Sequence, residues 1–108
     1  MTLQQKLKRL GDCLAKTVPN TFHYFRPKMD APFCVWAEDG GGGFCADDHN
    51  AEQSVTGTVD YFTRTEYDPV FDGIQAALDS IGVCWELNSV QFEPDTNLIH
   101  YEWRWELA

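Results

Sequence analysis

From Ile99 to Leu107 the chain alternates without a break. Ile99, Tyr101, Trp103, Trp105 and Leu107 occupy odd positions, while His100, Glu102, Arg104 and Glu106 occupy even ones. Successive side chains on a strand point to opposite faces, so this pattern specifies one strand with an aromatic face and a charged face. A chain carrying such a segment must build a sheet. The preceding stretch, Val83 to Glu93, predicts the partner strand, but its phase slips once: Trp85 and Leu87 are odd, Val90 and Phe92 even. A bulge near Asn88 and Ser89 returns all four to a single buried face, and Pro94 to Asn97 supplies the hairpin turn.

Upstream, Leu3, Leu7, Leu10 and Leu14 recur at i, i+4, i+7 and i+11, which predicts a helix over about residues 3 to 17. Its opposite face carries Lys8, Arg9, Asp12 and Lys16, and Pro19 with Asn20 ends it. Two apolar runs follow, Phe22 to Arg26 and Phe33 to Glu38, separated by Pro27 to Pro32; they read as two strands of a hairpin. Asp39 and the glycines Gly40 to Gly43 read as a loop tip, and residues 44 to 53 as polar loop. Residues 54 to 65 alternate again, with Val55, Gly57, Val59 and Tyr61 on one face and Thr56, Thr58, Asp60 and Arg64 on the other. That is a strand with one buried and one solvated face. Asp68 followed by Pro69 marks a helix start; Val70, Ile74, Ala77, Leu78 and Ile81 follow at helical spacing, and Gly82 stops the helix. Gly73 inside it suggests close packing against a neighbouring backbone.

The expected fold is therefore α+β: a mixed, mostly antiparallel sheet of about four to five strands with two helices packed on one face, in the order α-β-β-β-α-β-β. With 108 residues there is room for one domain, residues 1 to 108, and not for two. Hydrophobic residues at 44% and aromatics at 14% exclude disorder. There is no apolar run long enough to span a membrane, and the N-terminal leucines alternate with lysines, unlike a secretory signal. Cytoplasmic residence is the expectation. Cys13, Cys34, Cys45 and Cys84 show no C-x-x-C spacing and are expected to be free buried thiols.

The formal charge of −9 is unevenly spread. Residues 1 to 28 hold Lys6, Lys8, Arg9, Lys16, Arg26 and Lys28 against Asp12 alone, whereas residues 29 to 108 hold Arg64 and Arg104 against sixteen carboxylates. Phosphate affinity comes mainly from Lys and Arg, so the acidic bulk disfavours nucleic-acid binding and favours a protein partner or self-association.

Motifs for chemistry are scarce. No Gly-Lys-Ser/Thr follows the glycine run, and Asp39, Asp47 and Asp48 beside it would repel phosphate. Asp47, Asp48, His49 and Glu52 match no calcium-loop spacing and read as a solvated acidic loop. Cys34, Cys45 and Cys84 sit in the acidic portion, which works against a reactive thiolate, and no serine lies in a G-x-S-x-G turn. No catalytic, cofactor-binding or metal-binding residue is assigned, and an enzyme is not expected. The remaining surface suits assembly. Tryptophans 36, 85, 103 and 105 exceed what one small core needs, and Thr56, Thr58 and Asp60 form an outer row against which another subunit could lie.

The element order, the stretch Val-Thr-Gly-Thr-Val-Asp-Tyr-Phe-Thr-Arg-Thr (55 to 65) leading into a helix with Phe71, Ile74, Ala77 and Leu78, and the closing His-Tyr-Glu-Trp-Arg-Trp-Glu-Leu (100 to 107) resemble the tail-completion and tail-terminator proteins of long-tailed bacteriophages and prophages. The resemblance covers most of the chain; the glycine-rich tip departs from it. It implies a small α+β subunit of a ring, commonly a hexamer, at the end of the tail tube, which stops tube growth and offers a surface to the head connector. The subunit would assemble in the host cytoplasm and reside in the virion tail or head-tail junction. DNA must then pass through the ring without binding, and acidic groups lining a channel repel its phosphates. Glu38, Asp39, Asp47 and Asp48 are the candidates for that lining; Lys8, Arg9, Lys16, Thr56, Thr58 and Asp60 are the candidates for contact with a neighbouring subunit or partner. Competing expectations are a minor capsid or head-tail connector component, an acidic monomeric module that sequesters a basic partner, and an enzyme acting through the acidic loop.

Overall fold

The leucine repeat forms the first helix, α1 (Leu3–Thr17). Thr2 caps it: its hydroxyl accepts the Gln5 N–H at 3.1 Å, while the Gln5 side-chain oxygen accepts the Thr2 N–H at 2.7 Å, so two otherwise orphaned donors are satisfied. Leu7, Leu10 and Leu14 are buried. The remaining elements are β1 (Thr21–His23), β2 (Phe33–Gly42), β3 (Ser54–Thr63), α2 (Val70–Ser80), β4 (Cys84–Glu93) and β5 (Leu98–Leu107). The computed structural model describes residues 1–42 and 54–108. Its five strands form one mixed, mostly antiparallel sheet in the order β1-β2-β3-β5-β4. The expected α+β class and element order hold.

The expected hairpin between the first two strands does not form. β1 pairs parallel to β2, with Thr21 opposite Cys34 and His23 opposite Trp36. The Thr21 hydroxyl donates to the Val18 carbonyl at 2.5 Å, which ties the start of β1 to the end of α1. Tyr24 then departs in the left-handed region, at φ 78°. A three-residue strand spans only about 10 Å, so residues 24–32 can lead back to the start of β2 without a crossover helix. The glycine run also differs from expectation. Gly40, Gly41 and Gly42 pair with Thr56, Val55 and Ser54 and continue β2, after a register shift that sets Asp39 out of the ladder.

The β4–β5 hairpin follows the phase of its sequence. The register shifts between Leu87 and Ser89, and residues 94–97 make the turn. Trp85, Leu87, Val90 and Phe92 thereby stand opposite Trp105, Trp103, Tyr101 and Ile99. The face is single but not buried throughout: Leu87, Val90 and Phe92 are exposed. The reason is length. α2, with eleven residues, covers about 16 Å, while a ten-residue strand extends about 33 Å.

Both helices pack on one face, where Leu7, Leu10, Leu14, Ile74 and Leu78 meet Trp36, Val59, Tyr61, Trp103 and Trp105. At the helix crossing, Gly73 faces a side chain and not a backbone: an added Cβ would lie 3.2 Å from the Thr17 methyl. The opposite face carries a second cluster of Phe33, Val35, Phe62 and Leu98. The Arg26 guanidinium lies 4.4 Å from the Phe62 ring centre, a cation–π contact that covers this cluster. β3 is thus solvated on that face only along Thr56, Thr58 and Asp60.

Asp68 ties sheet to helix. Its Oδ2 accepts the Tyr61 hydroxyl at 2.6 Å and the Thr63 hydroxyl at 2.8 Å, and its Oδ1 accepts the Val70 N–H at 2.9 Å. Pro69 has helical angles, so Asp68 acts as the cap that its position before proline predicts. Burial opposes ionisation of Asp68, but the three donated bonds outweigh it and hold its carboxyl below the usual value. The same contact, after burial, raises the Tyr61 phenol. A carboxylate with a depressed folded-state pKa contributes stability that is present above its unfolded value, about 3.9, and is lost as pH falls through the folded value. Asp68→Asn leaves one side-chain oxygen for three donors. It should lower stability at neutral pH by about 1–3 kcal/mol and flatten the loss of stability below about pH 4. Urea titrations between neutral and acid pH measure both, and an unchanged acid slope would contradict this role.

Candidate functional site

The side chains singled out by charge fall on three surfaces. Lys8, Arg9 and Lys16 project from the outer face of α1, away from its buried leucines. Lys8 Nζ bonds Asp12 Oδ2 at 2.8 Å, a solvent-exposed i,i+4 pair of small energetic weight. Arg9 and Lys16 have no ion pair among the described residues. Lys6 instead donates to the Ala108 carbonyl at 2.8 Å, fastening α1 to the strand beside it.

Thr56, Thr58 and Asp60 lie together on the helix-free face of β3. β3 is a central strand, flanked by β2 and β5, so this row offers side chains to a partner and no open backbone edge. It belongs to a polar network. The Thr56 hydroxyl donates to Asp39 Oδ1 at 2.9 Å, Arg104 Nη2 stands 3.3 Å from Asp39 Oδ2, and His100 Nε2 stands 2.6 Å from Asp60 Oδ1. The His100 ring also stacks on Phe62 with centres 4.2 Å apart.

Glu38 and Asp39 do not share a lining. Glu38 points to the helix side, where Oε2 accepts the Tyr24 hydroxyl at 2.5 Å and Oε1 lies 2.6 Å from His23 Nε2. His23 is itself stacked between Trp36 and Tyr24, with ring centres 3.8 and 4.0 Å away. Burial works against the Glu38 charge, but the Tyr24 and His23 contacts prevail and its carboxyl is held low; the Tyr24 phenol is raised, chiefly by the bond to Glu38. Asp39 joins the network on the opposite face. Asp47 and Asp48, with Cys45, His49 and Glu52, lie outside the described residues.

Among the described residues no three His, Cys, Asp or Glu side chains gather to hold a metal ion, and no helix is long and apolar enough to cross a membrane. Cys34 is buried, and burial pushes its thiol up to about 12, so it stays protonated. Cys13 is half-buried, its Sγ donating to the Ala77 carbonyl at 3.6 Å, while Cys84 is exposed at the start of β4 rather than buried.

The sheet edges are β1, with three residues, the part of β2 that runs on past its pairing with β1, and β4, with ten. β4 is the surface that charge and motif reading passed over. Its edge character had two signals in the sequence, the bulge and the charges Glu86 and Glu93, both of which are common devices on unpaired strands. The chain matches no protein-family model, and no curated protein is similar to it beyond chance.

Proposed function

We propose that the protein is a non-enzymatic phage structural subunit that assembles as a homo-oligomeric ring at the tail end, where it terminates the tail tube and joins it to the head connector. The observation that carries this reading is the long open edge β4, on which Leu87, Val90 and Phe92 are exposed in a chain of formal charge −9. A monomer gains nothing from such a row, whereas an unpaired strand with apolar side chains is a natural contact between copies. The fold order α-β-β-β-α-β-β agrees with the resemblance of the 55–65 and 100–107 segments.

In this arrangement DNA is a passenger. The carboxylate excess of residues 29 to 108 keeps phosphates unbound. The far end of β2, with Asp39, lines the channel; Asp47 and Asp48, candidates for the same lining, lie outside the described residues, and Glu38, drawn to the helix side by Tyr24 and His23, contributes field rather than a lining side chain. The cationic face of α1, with Lys8, Arg9 and Lys16, meets the tail tube or the connector. Electron microscopy of the purified protein should show rings with a central hole, and added rings should stop growth of a tail tube. A protein that stays monomeric by light scattering at high concentration contradicts the reading, and so does a ring whose channel is lined by Lys8, Arg9 and Lys16.

A further inference from the structure

The second cluster, Phe33, Val35, Phe62 and Leu98, is at most 9% exposed although both helices lie on the other face of the sheet. What closes over it is the segment of residues 24–32, which leaves β1, crosses this face and returns to the start of β2. Arg26 sets its guanidinium over the rings of Phe33 and Phe62, 5.7 and 4.4 Å from their centres, and its Nη2 stands 3.7 Å from Glu93 Oε1 at the end of β4. Further along, Asp30 Oδ1 accepts from Arg64 Nη1 at 2.9 Å, and Arg64 Nε donates to the Thr96 carbonyl at 3.0 Å, so this attachment reaches the β4–β5 turn.

The cover is held by charge rather than by its own burial. Of residues 24–32 only Pro27 and Ala31 are half-buried, and the other seven are exposed, Tyr24, Phe25 and Met29 among them. The backbone bond that joins the segment to the sheet, among the described residues, lies at its very start, from the Tyr24 N–H to the Trp36 carbonyl at 2.9 Å. Tyr24 is fixed there a second time by its hydroxyl bond to Glu38, and at the far end Phe33 enters β2. Between these two fixed ends the chain has few buried apolar contacts and solvent-exposed attachments, the properties of segments that open locally while the rest of a domain stays folded.

We propose that residues 25–32 form a lid that opens and closes as one unit over the Phe33–Phe62 cluster, and that the Arg26–Glu93 and Asp30–Arg64 contacts latch it shut. Both latches are ionic and reach solvent, so salt weakens them. With the lid closed, the helix-free face shows a cation above its aromatic rings; with the lid open, Phe33 and Phe62 themselves meet water. The device belongs to the single chain and stands apart from the ring reading.

Hydroxyl-radical footprinting read by mass spectrometry tests it. Oxidation of Phe62 reports an open lid, and oxidation of Trp103, fully buried against α2, reports any wider unfolding. Asp30→Asn and Glu93→Gln each remove one latch and change no apolar contact. Each should raise Phe62 oxidation about two- to fivefold, and the pair together by the product, since a lid that moves as one unit loses both latches at once. Sodium chloride at about 1 M, which screens charges beyond about 3 Å, should raise it in the wild type and have little effect on the double variant. Trp103 oxidation should stay level throughout. Should a variant lose its fold, the salt response of the wild type carries the test alone. Phe62 oxidation that ignores the substitutions and the salt, or that rises only in step with Trp103, overturns the lid.

Discussion

Gly57→Ala is expected to cost about 3 kcal/mol or more, at or above the upper end of ordinary overpacking and a large part of the roughly 5–15 kcal/mol that holds a domain together. An added Cβ would lie 2.2 Å from the Ala37 carbonyl oxygen and 2.2 Å from Cζ2 of Trp105. Neither can retreat. The carbonyl belongs to β2 in its ladder with β3, and Trp105 is buried on β5, the strand on the other side. Moving either neighbour breaks a ladder that runs through the centre of the sheet. The measurement is the urea midpoint against wild type at constant slope. Gly41→Ala is the control: its nearest contact would be the Ser54 carbonyl oxygen at 3.9 Å, so it should be within about 0.5 kcal/mol of wild type. Equal stability of the two variants would refute the steric account.

Trp103→Ala should lose about 3–5 kcal/mol. Trp103 is fully buried and is the largest such side chain in the chain's described residues. Its ring lies 5.3 Å from that of Phe71 on α2 and 6.0 Å from that of Tyr101, and its Nε1 donates to Gln75 Oε1 at 3.1 Å. Alanine therefore opens a cavity under α2 and also strands the Gln75 acceptor. Trp103→Phe keeps most of the volume and loses the hydrogen bond, for about 1–2 kcal/mol. Since each kcal/mol lowers the melting temperature by roughly 4–8 °C in a domain of this length, thermal melts separate the two variants clearly. A shift of only a few degrees for Trp103→Ala would mean that α2 is not anchored through this residue.

The residues differ in how openly the sequence declared their roles. The inward stripe of α1, the cap at Asp68 and Pro69, the bulge near Asn88 and the turn at Pro94 to Asn97 all appear where spacing puts them. Each depends on neighbours within a turn of helix or two residues of strand. Gly57 was visible only as a small residue on the inner face; that it admits Trp105 depends on a residue almost fifty positions away. The same holds for the candidate site. Thr56, Thr58 and Asp60 do line one face, but their strand is central, and the longest open edge belongs to β4.

Alternation and heptad-like spacing were therefore sufficient for element type, order and inward face, because the backbone repeats at two residues in a strand and 3.6 in a helix regardless of partners. They could not state that β1 runs parallel to β2, that Gly40 to Gly42 pair with β3, or that Arg26 covers Phe62. Nor could they show that Val90 and Phe92, apolar and in phase, stand uncovered. Those outcomes depend on contacts distant in sequence, and the short span of α2 leaves part of the β4–β5 face bare. The apolar pattern marks what can be buried; the lengths and crossings of the packed elements determine what is, and the remainder stays exposed on the surface.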